Sequence, residues 1–128
     1  PGLLNACRVV RRRHYPAGLP VGDAVATDAF DLPCRWVIHT VGPNAHRGQT
    51  DPALLASCFT RSLDVAAELG ARSVAFPAIS AGAYGWDADD VARIAVDAVR
   101  GHPLSGVQLV RFVCFSDSLL AAFTRALG

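Results

Sequence analysis

Residues 76–87 read FPAISAGAYGWD, and this stretch says the most about the fold and the chemistry of the chain. A short apolar run at 73–76 precedes it and predicts a buried strand, while the amphipathic pattern that begins at Asp87 predicts a helix. Between them, small residues fill a loop at 80–86. Backbone N–H groups of such a loop can converge on an anion, helped by the helix dipole. The pattern is compatible with an anion site, typically for a diphosphate, but taken alone it favours an ordinary strand-to-helix connection with permissive glycines.

The loop differs from three other loop motifs that carry chemistry. A Walker A loop ends in Gly-Lys-Ser/Thr, and a dinucleotide-binding fingerprint reads G-x-G-x-x-G. The stretch contains neither pattern. Ser80 also lacks the flanking glycines of a nucleophile elbow. A serine nucleophile is therefore not indicated.

Apolar runs alternate with helical patterns along the rest of the chain. Strands are predicted at 24–27, 36–41, 73–77 and 107–115, and helices at 1–14, 52–69, 87–100 and 117–127. Asp51 and either Ser116 or Asp117 are suited to capping helix N-termini, and Gly70 to ending a helix. The alternation predicts an α/β fold in which the four strands form one largely parallel sheet with helices on both faces. Ligands of such sheets bind beyond the carboxyl ends of the strands, so residues 80–86 and 115–117 can line one crevice.

The composition is that of one globular domain over residues 1–128, with 52% hydrophobic residues and a net charge of +1. No apolar run approaches the roughly 20 residues of a membrane span, so no membrane partner is expected. All twelve basic residues are arginine and alanine is abundant, which suggests a bacterial genome rich in G and C.

The cysteines and histidines show no metal-ligand spacing. The four cysteines lie far apart in or beside apolar stretches, which predicts buried free thiols in a reducing cytoplasm; they are Cys7, Cys34, Cys58 and Cys114. No metal and no cofactor are expected.

Four arginines, Arg8, Arg11, Arg12 and Arg13, precede the first acidic residue of the chain. Such a cluster can bind nucleic acid. It lacks interleaved aromatic residues apart from Tyr15, and cations are favourable at a helix C-terminus. We favour a solvated helix end and do not expect a nucleic-acid partner.

The stretch F-P-A-I-S-A-G-A-Y-G-W at 76–86 resembles the second binding loop of macrodomains, the ADP-ribose-binding family, in the MacroD-type branch. Further segments match in the order of the family: P-G-L-L at 1–4 with A-C at 6–7, G-D-A at 22–24 with Thr27, and V-I-H-T-V-G-P at 37–43. The resemblance covers essentially the whole chain and implies a three-layer α/β/α fold with a mixed, largely parallel sheet.

By that resemblance, the backbone N–H groups of residues 80–84 hold the diphosphate of ADP-ribose, and Gly82 permits its close approach. Ala83 would help close the loop, and Tyr84 would flank the distal ribose. Phe115 would stack on the adenine, a reading that we favour over core packing. The implied ligand-binding residues are Ser80, Ala81, Gly82, Ala83, Tyr84, Gly85 and Phe115.

Three other residues, in or beside these segments, are not included among the implied ligand-binding residues. His39 lies in an apolar strand and is expected to be a core histidine, and Asp87 is expected to be an N-cap rather than a general base. Trp86 can either line the rim of the pocket or fasten the helix, and the sequence leaves both readings open.

The resemblance implies binding of ADP-ribose or of ADP-ribosylated protein, with hydrolysis of ADP-ribose esters such as O-acetyl-ADP-ribose in the intact domain. Such macrodomains begin with two strands, an adenine-binding acidic residue and a loop that carries the catalytic Asp, and these 128 residues contain none of them. We therefore expect a macrodomain without its N-terminal third and with no catalytic residue. A non-catalytic reader of ADP-ribose, or a remnant that neither binds nor hydrolyses, is the alternative.

Overall fold

The elements of a computed structural model, which describes residues 2–128, alternate between helix and strand. They are α1 (Gly2–His14), β1 (Ala24–Asp28), β2 (Trp36–Thr40), α2 (Pro52–Leu69), β3 (Ser73–Pro77), α3 (Ala88–Arg100), β4 (Leu109–Val113) and α4 (Asp117–Leu127). Short 3₁₀ turns lie at Ala45–Arg47 and Gly82–Tyr84. The start of the first helix predicted at Pro1 lies outside the described residues.

The ends of the helices follow the caps that the sequence predicts. The Asp51 side chain accepts a hydrogen bond from the Ala53 N–H at 2.9 Å and begins α2. Gly70, at φ 74°, ends α2 in the left-handed conformation that glycine adopts without strain. Ser116 caps α4 by accepting from the Leu119 N–H at 3.2 Å. These caps are confirmed.

The strands pair in two separate sheets of two strands each. β1 and β2 are antiparallel, with Ala24 opposite Thr40, and β3 and β4 are parallel, with Ser73 opposite Leu109. The prediction of a single four-stranded sheet was wrong: within residues 2–128, β2 and β3 are not hydrogen-bonded to each other. A cavity of about 630 Å³ lies between these two strands. The α/β class is nevertheless confirmed.

The last strand is shorter than its apolar run. The sequence predicts a strand over 107–115, whereas β4 ends at Val113, which pairs with Pro77. Pro77 is the last residue of β3, so Cys114 and Phe115 have no partner strand there. Both residues therefore extend beyond the end of the sheet.

The core lies between the β3–β4 sheet and the helices α2, α3 and α4. Phe59 of α2 contacts Phe76 of β3 edge to face, with ring centroids 5.1 Å apart. Phe123 of α4 packs on Phe112 of β4 at 4.8 Å. The core fixes β3 and β4 side by side, so that the segments that follow them emerge at one edge of the sheet.

The cysteines only partly follow the prediction of buried thiols. All four are free, and Cys58 is buried. Cys7 and Cys114 are partly buried, and Cys34 is exposed, because it lies in the bend before β2 rather than inside an element. Among residues 2–128, no helix has the length and apolar character required to cross a membrane.

Candidate functional site

The loop between β3 and α3 is held in an unusual backbone conformation. Ser80, Gly82 and Gly85 all have positive φ, at 68°, 73° and 79°. A positive φ is uncommon for a residue with a Cβ, so Ser80 is a strained position. The 3₁₀ turn Gly82–Tyr84 closes with a hydrogen bond from the Gly85 N–H to the Gly82 carbonyl at 2.9 Å. The chain therefore folds back on itself before α3 begins.

This conformation leaves several hydrogen-bond donors without a partner. Within residues 2–128, no protein acceptor faces the backbone N–H of Ser80, Gly82 or Ala83, whereas the Ala81 and Gly85 N–H groups bond within the loop. The Ser80 hydroxyl is buried and also has no partner. Buried polar groups are normally paired, so the unpaired hydroxyl of Ser80, which is only 8% exposed, needs an explanation. Gly82 and Ala83 are exposed, and their N–H groups are accessible to a ligand. Donors that converge at the N-terminus of a helix are suited to an anion.

The tip of the loop, at Gly82, faces open space. A Cβ added at Gly82 would meet nothing within 4 Å, and residues 82–85 are exposed. The N-terminus of α3 follows at once, because the Asp87 side chain accepts from the Asp90 N–H at 3.2 Å. The loop can therefore admit a ligand directly against its backbone.

The loop after β2, at residues 42–46, contacts the 80–86 loop. The indole N–H of Trp86 donates to the carbonyl of buried Pro43 at 3.1 Å. A Cβ at Gly42 would lie 2.4 Å from the Ser80 hydroxyl, and one at Gly85 would lie 2.9 Å from the His46 ring, so both close approaches need glycine. Trp86, whose role the sequence leaves open, thus fastens the two loops together. The sequence gives no signal for the His46 contact, which joins residues 39 positions apart.

The parallel register of β3 and β4 brings Phe115 to the same edge as the loop. Pro77 and Val113 are paired at the ends of these strands, so Ile79 and Phe115 each lie two residues beyond that pair. Phe115 is 75% exposed, which argues against core packing and leaves its ring accessible to a ligand. Tyr84 is 41% exposed on the loop itself. The ligand-binding roles of residues 80–85 and Phe115 stay predictions.

Asp87, which follows the loop, and Asp23 each have a hydrogen-bond partner. Asp87 caps α3, as the sequence predicts. Asp23 accepts from the Ala24 N–H at 2.8 Å and lies 3.6 Å from the Arg61 guanidinium. One oxygen of each carboxylate is therefore already engaged. Within residues 2–128, no group of three or more His, Cys, Asp or Glu side chains is placed to hold a metal ion.

His39 is a partly buried histidine with side-chain contacts, in line with its interpretation as a core residue. Its Nε2 lies 3.0 Å from the Thr27 hydroxyl, and burial lowers its pKa below the ordinary value. The four arginines at 8–13 are exposed on α1.

Comparison with known proteins gives a consistent result across sequence and structure. The macro domain family model matches residues 1–95. A macro domain-containing protein of Streptomyces griseus is 53% identical over 128 residues, which cover 100% of this chain and 72% of that protein. An O-acetyl-ADP-ribose deacetylase of Klebsiella pneumoniae is 43% identical over 134 residues, covering 100% of this chain and 74% of its own length.

Solved macrodomains share the architecture. A variant of the Oceanobacillus iheyensis macrodomain with ADPR has a TM-score of 0.89 and 34% identity, over 99% of this chain and 70% of that one. The Trypanosoma brucei macrodomain in complex with ADP-ribose has a TM-score of 0.79 and 26% identity, over 94% of this chain and 55% of that one.

Proposed function

Because this chain belongs to the macro domain family, we propose that it binds ADP-ribose and that residues 80–85 hold the diphosphate of the ligand. The observation that carries the proposal is the set of unpaired N–H groups at Ser80, Gly82 and Ala83. A diphosphate presents several charged acceptor oxygens, and hydrogen bonds to charged groups are stronger than neutral ones. The solved relatives with ADPR and with ADP-ribose support this choice of ligand.

The other parts of the ligand follow from the position of the diphosphate. Phe115 emerges at the same edge of the sheet as the loop, so its exposed ring can stack on the adenine. Such stacking contributes about 1 kcal/mol beyond the burial of area. Tyr84, the last residue of the 3₁₀ turn and exposed, would flank the distal ribose.

The test is calorimetric titration of the chain with ADP-ribose, before and after the substitution Gly82→Glu. The new side chain would bring a negative charge into the open space where we place the diphosphate, and affinity should be lost. Gly70→Glu is the matched control, because Gly70 has φ 74° against 73° at Gly82 and also has nothing within 4 Å of its added Cβ. The two variants carry the same backbone strain and the same charge.

The two variants separate binding from folding. Gly70→Glu should keep the affinity of the unchanged chain, while Gly82→Glu should give no measurable heat of binding at an unchanged circular dichroism spectrum. Equal affinity in both variants would remove residues 80–85 from the ligand site.

We also propose that this binding serves hydrolysis of ADP-ribose esters in the intact domain. Relatives named O-acetyl-ADP-ribose deacetylase at 41–43% identity support this activity. The described residues supply anion binding and a surface for the adenine, whereas Asp23 and Asp87 are both engaged. Hydrolysis would therefore need a carboxylate other than these two, and without it the chain would act as a reader of ADP-ribose.

A further inference from the structure

A second cavity, of about 320 Å³, lies between α1 and the β1–β2 sheet. None of the residues 80–86 lines it, so it is separate from the anion site. Small-molecule sites are typically about 300–1,000 Å³, mostly apolar, with a few placed polar groups. The apolar part of this cavity comes from Val10, Leu19, Val25 and Val41. Its volume and lining are thus those of a small-ligand pocket.

A thiol, an imidazole and a hydroxyl meet in the wall of this cavity. Cys7 Sγ lies 3.6 Å from His39 Nε2 and 3.9 Å from His39 Nδ1. Thr27 Oγ1 lies 3.0 Å from the same Nε2 atom. Cys7 is partly buried, yet it lines the cavity and is therefore reachable from it.

The hydrogen-bond network assigns the proton of the imidazole. Thr27 Oγ1 donates to the Asp28 carbonyl at 3.1 Å, so its oxygen accepts from the Nε2–H of His39. In that tautomer Nδ1 keeps a lone pair, and this atom is within sulfur hydrogen-bonding distance of Cys7. Burial lowers the pKa of His39, which keeps the ring neutral and the lone pair available at neutral pH.

One positive charge lies on the wall of the same cavity. Arg11 lines it together with Tyr15 and Gly18, and a Cβ at Gly18 would lie 3.9 Å from the guanidinium. The arginine head is therefore folded over the cavity near Gly18. Arg12, its neighbour on the helix, does not line the cavity. A guanidinium beside an apolar pocket favours a small molecule with a carboxylate at one end.

We propose that this cavity is a modification site for small carboxylates that carry an electrophilic carbon, with Cys7 as the nucleophile. The thiol proton moves to Nδ1 of His39 as a sulfur electron pair forms an S–C bond to that carbon. The leaving group departs with the electrons of the bond that it had to carbon. Arg11 selects the anionic reagent and His39 accepts the proton, so the two residues have separable effects.

The test uses two alkylating reagents that differ in charge, iodoacetate and iodoacetamide, with each cysteine followed by peptide mass spectrometry. Exposed Cys34 is the internal reference, because dividing by its rate removes the intrinsic difference between the reagents. Relative to Cys34, Cys7 should prefer iodoacetate over iodoacetamide by about fivefold, the size expected for one charge pair near a surface.

Three variants complete the experiment. Arg11→Gln should abolish the preference for iodoacetate, whereas Arg12→Gln, which removes the same charge from the same helix, should retain it. His39→Gln should slow the reaction of Cys7 with both reagents alike and leave Cys34 unchanged. The inference is overturned if Arg11→Gln and Arg12→Gln behave alike, or if His39→Gln leaves the rate at Cys7 unaltered.

Discussion

The protonation state of His39 is coupled to the stability of the β1–β2 sheet. Its ring lies between Cys7 and Thr27, and burial lowers its pKa below the ordinary value of 6.5. The unfolded chain therefore binds a proton at His39 more readily than the folded one. Stability contributed by the neutral ring is fully present above pH 6.5 and declines as the pH falls below it.

The substitution His39→Gln should reduce this dependence on pH. A glutamine can still bond to Thr27 but does not titrate, so the free energy of unfolding should decline less between pH 7.5 and 5.5 than in the unchanged chain. Urea denaturation at several pH values measures both slopes. An identical decline in the two proteins would show that the lowered pKa of His39 does not contribute to the pH dependence of stability.

Asp87 is the carboxylate closest in sequence to the proposed ligand, and its chemistry can be tested directly. Its oxygen accepts from the Asp90 N–H, so Asp87→Ala should cost about 1 kcal/mol of stability, the usual effect of losing an N-cap. Turnover of O-acetyl-ADP-ribose by this 128-residue chain should be undetectable with or without the substitution. A positioned general base contributes about 10² to 10⁴ in rate, and Asp23 and Asp87 each already accept a hydrogen bond from a backbone N–H.

Turnover that is measurable in the unchanged chain and disappears in Asp87→Ala would contradict this expectation. It would show that this carboxylate is the base and that its capping role is incidental. If Asp87→Ala lowers the stability and neither protein shows turnover, the role of Asp87 as a helix cap is confirmed.

At the scale of elements, local signals predict the helices well. Asp51, Gly70 and Asp87 act through hydrogen bonds to residues within four positions, so the sequence alone determines where α2 and α3 begin and where α2 ends. Strand ends depend on a partner. The apolar run at 107–115 continues past Val113, but its partner β3 stops at Pro77 and the ladder stops with it.

Contacts between distant elements had no local signal. The Trp86–Pro43 hydrogen bond spans 43 positions, and the Cys7–His39 contact spans 32. The resemblance identifies the 80–86 loop as a ligand loop, because its function lies in a continuous segment. It cannot show that a second segment supports that loop, or that Cys7 shares a cavity with a histidine, since these depend on how the elements pack.

At the scale of the whole molecule, the space between the two sheets leaves strand edges unpaired. β2 and β3 face a cavity of about 630 Å³ whose lining is largely apolar, including Val37, Ile38 and Val74. Strand edges carry backbone N–H and C=O groups that need partners, and neighbouring strands lie about 4.8 Å apart. Edges of this kind are templates for pairing with another chain.

We therefore expect this 128-residue chain to self-associate through the space between β2 and β3. Sedimentation velocity over a range of concentrations should show the mean mass rising with concentration. Ala75→Lys places a charge on β3 in the lining of the cavity, and lysine on an edge strand opposes pairing, so this variant should stay monomeric. Leu120→Lys, at an exposed position on α4, is the matched control and should associate like the unchanged chain. A monomer at every concentration would show that the two edges are protected without a partner, and equal association in both variants would place the contact away from the sheets.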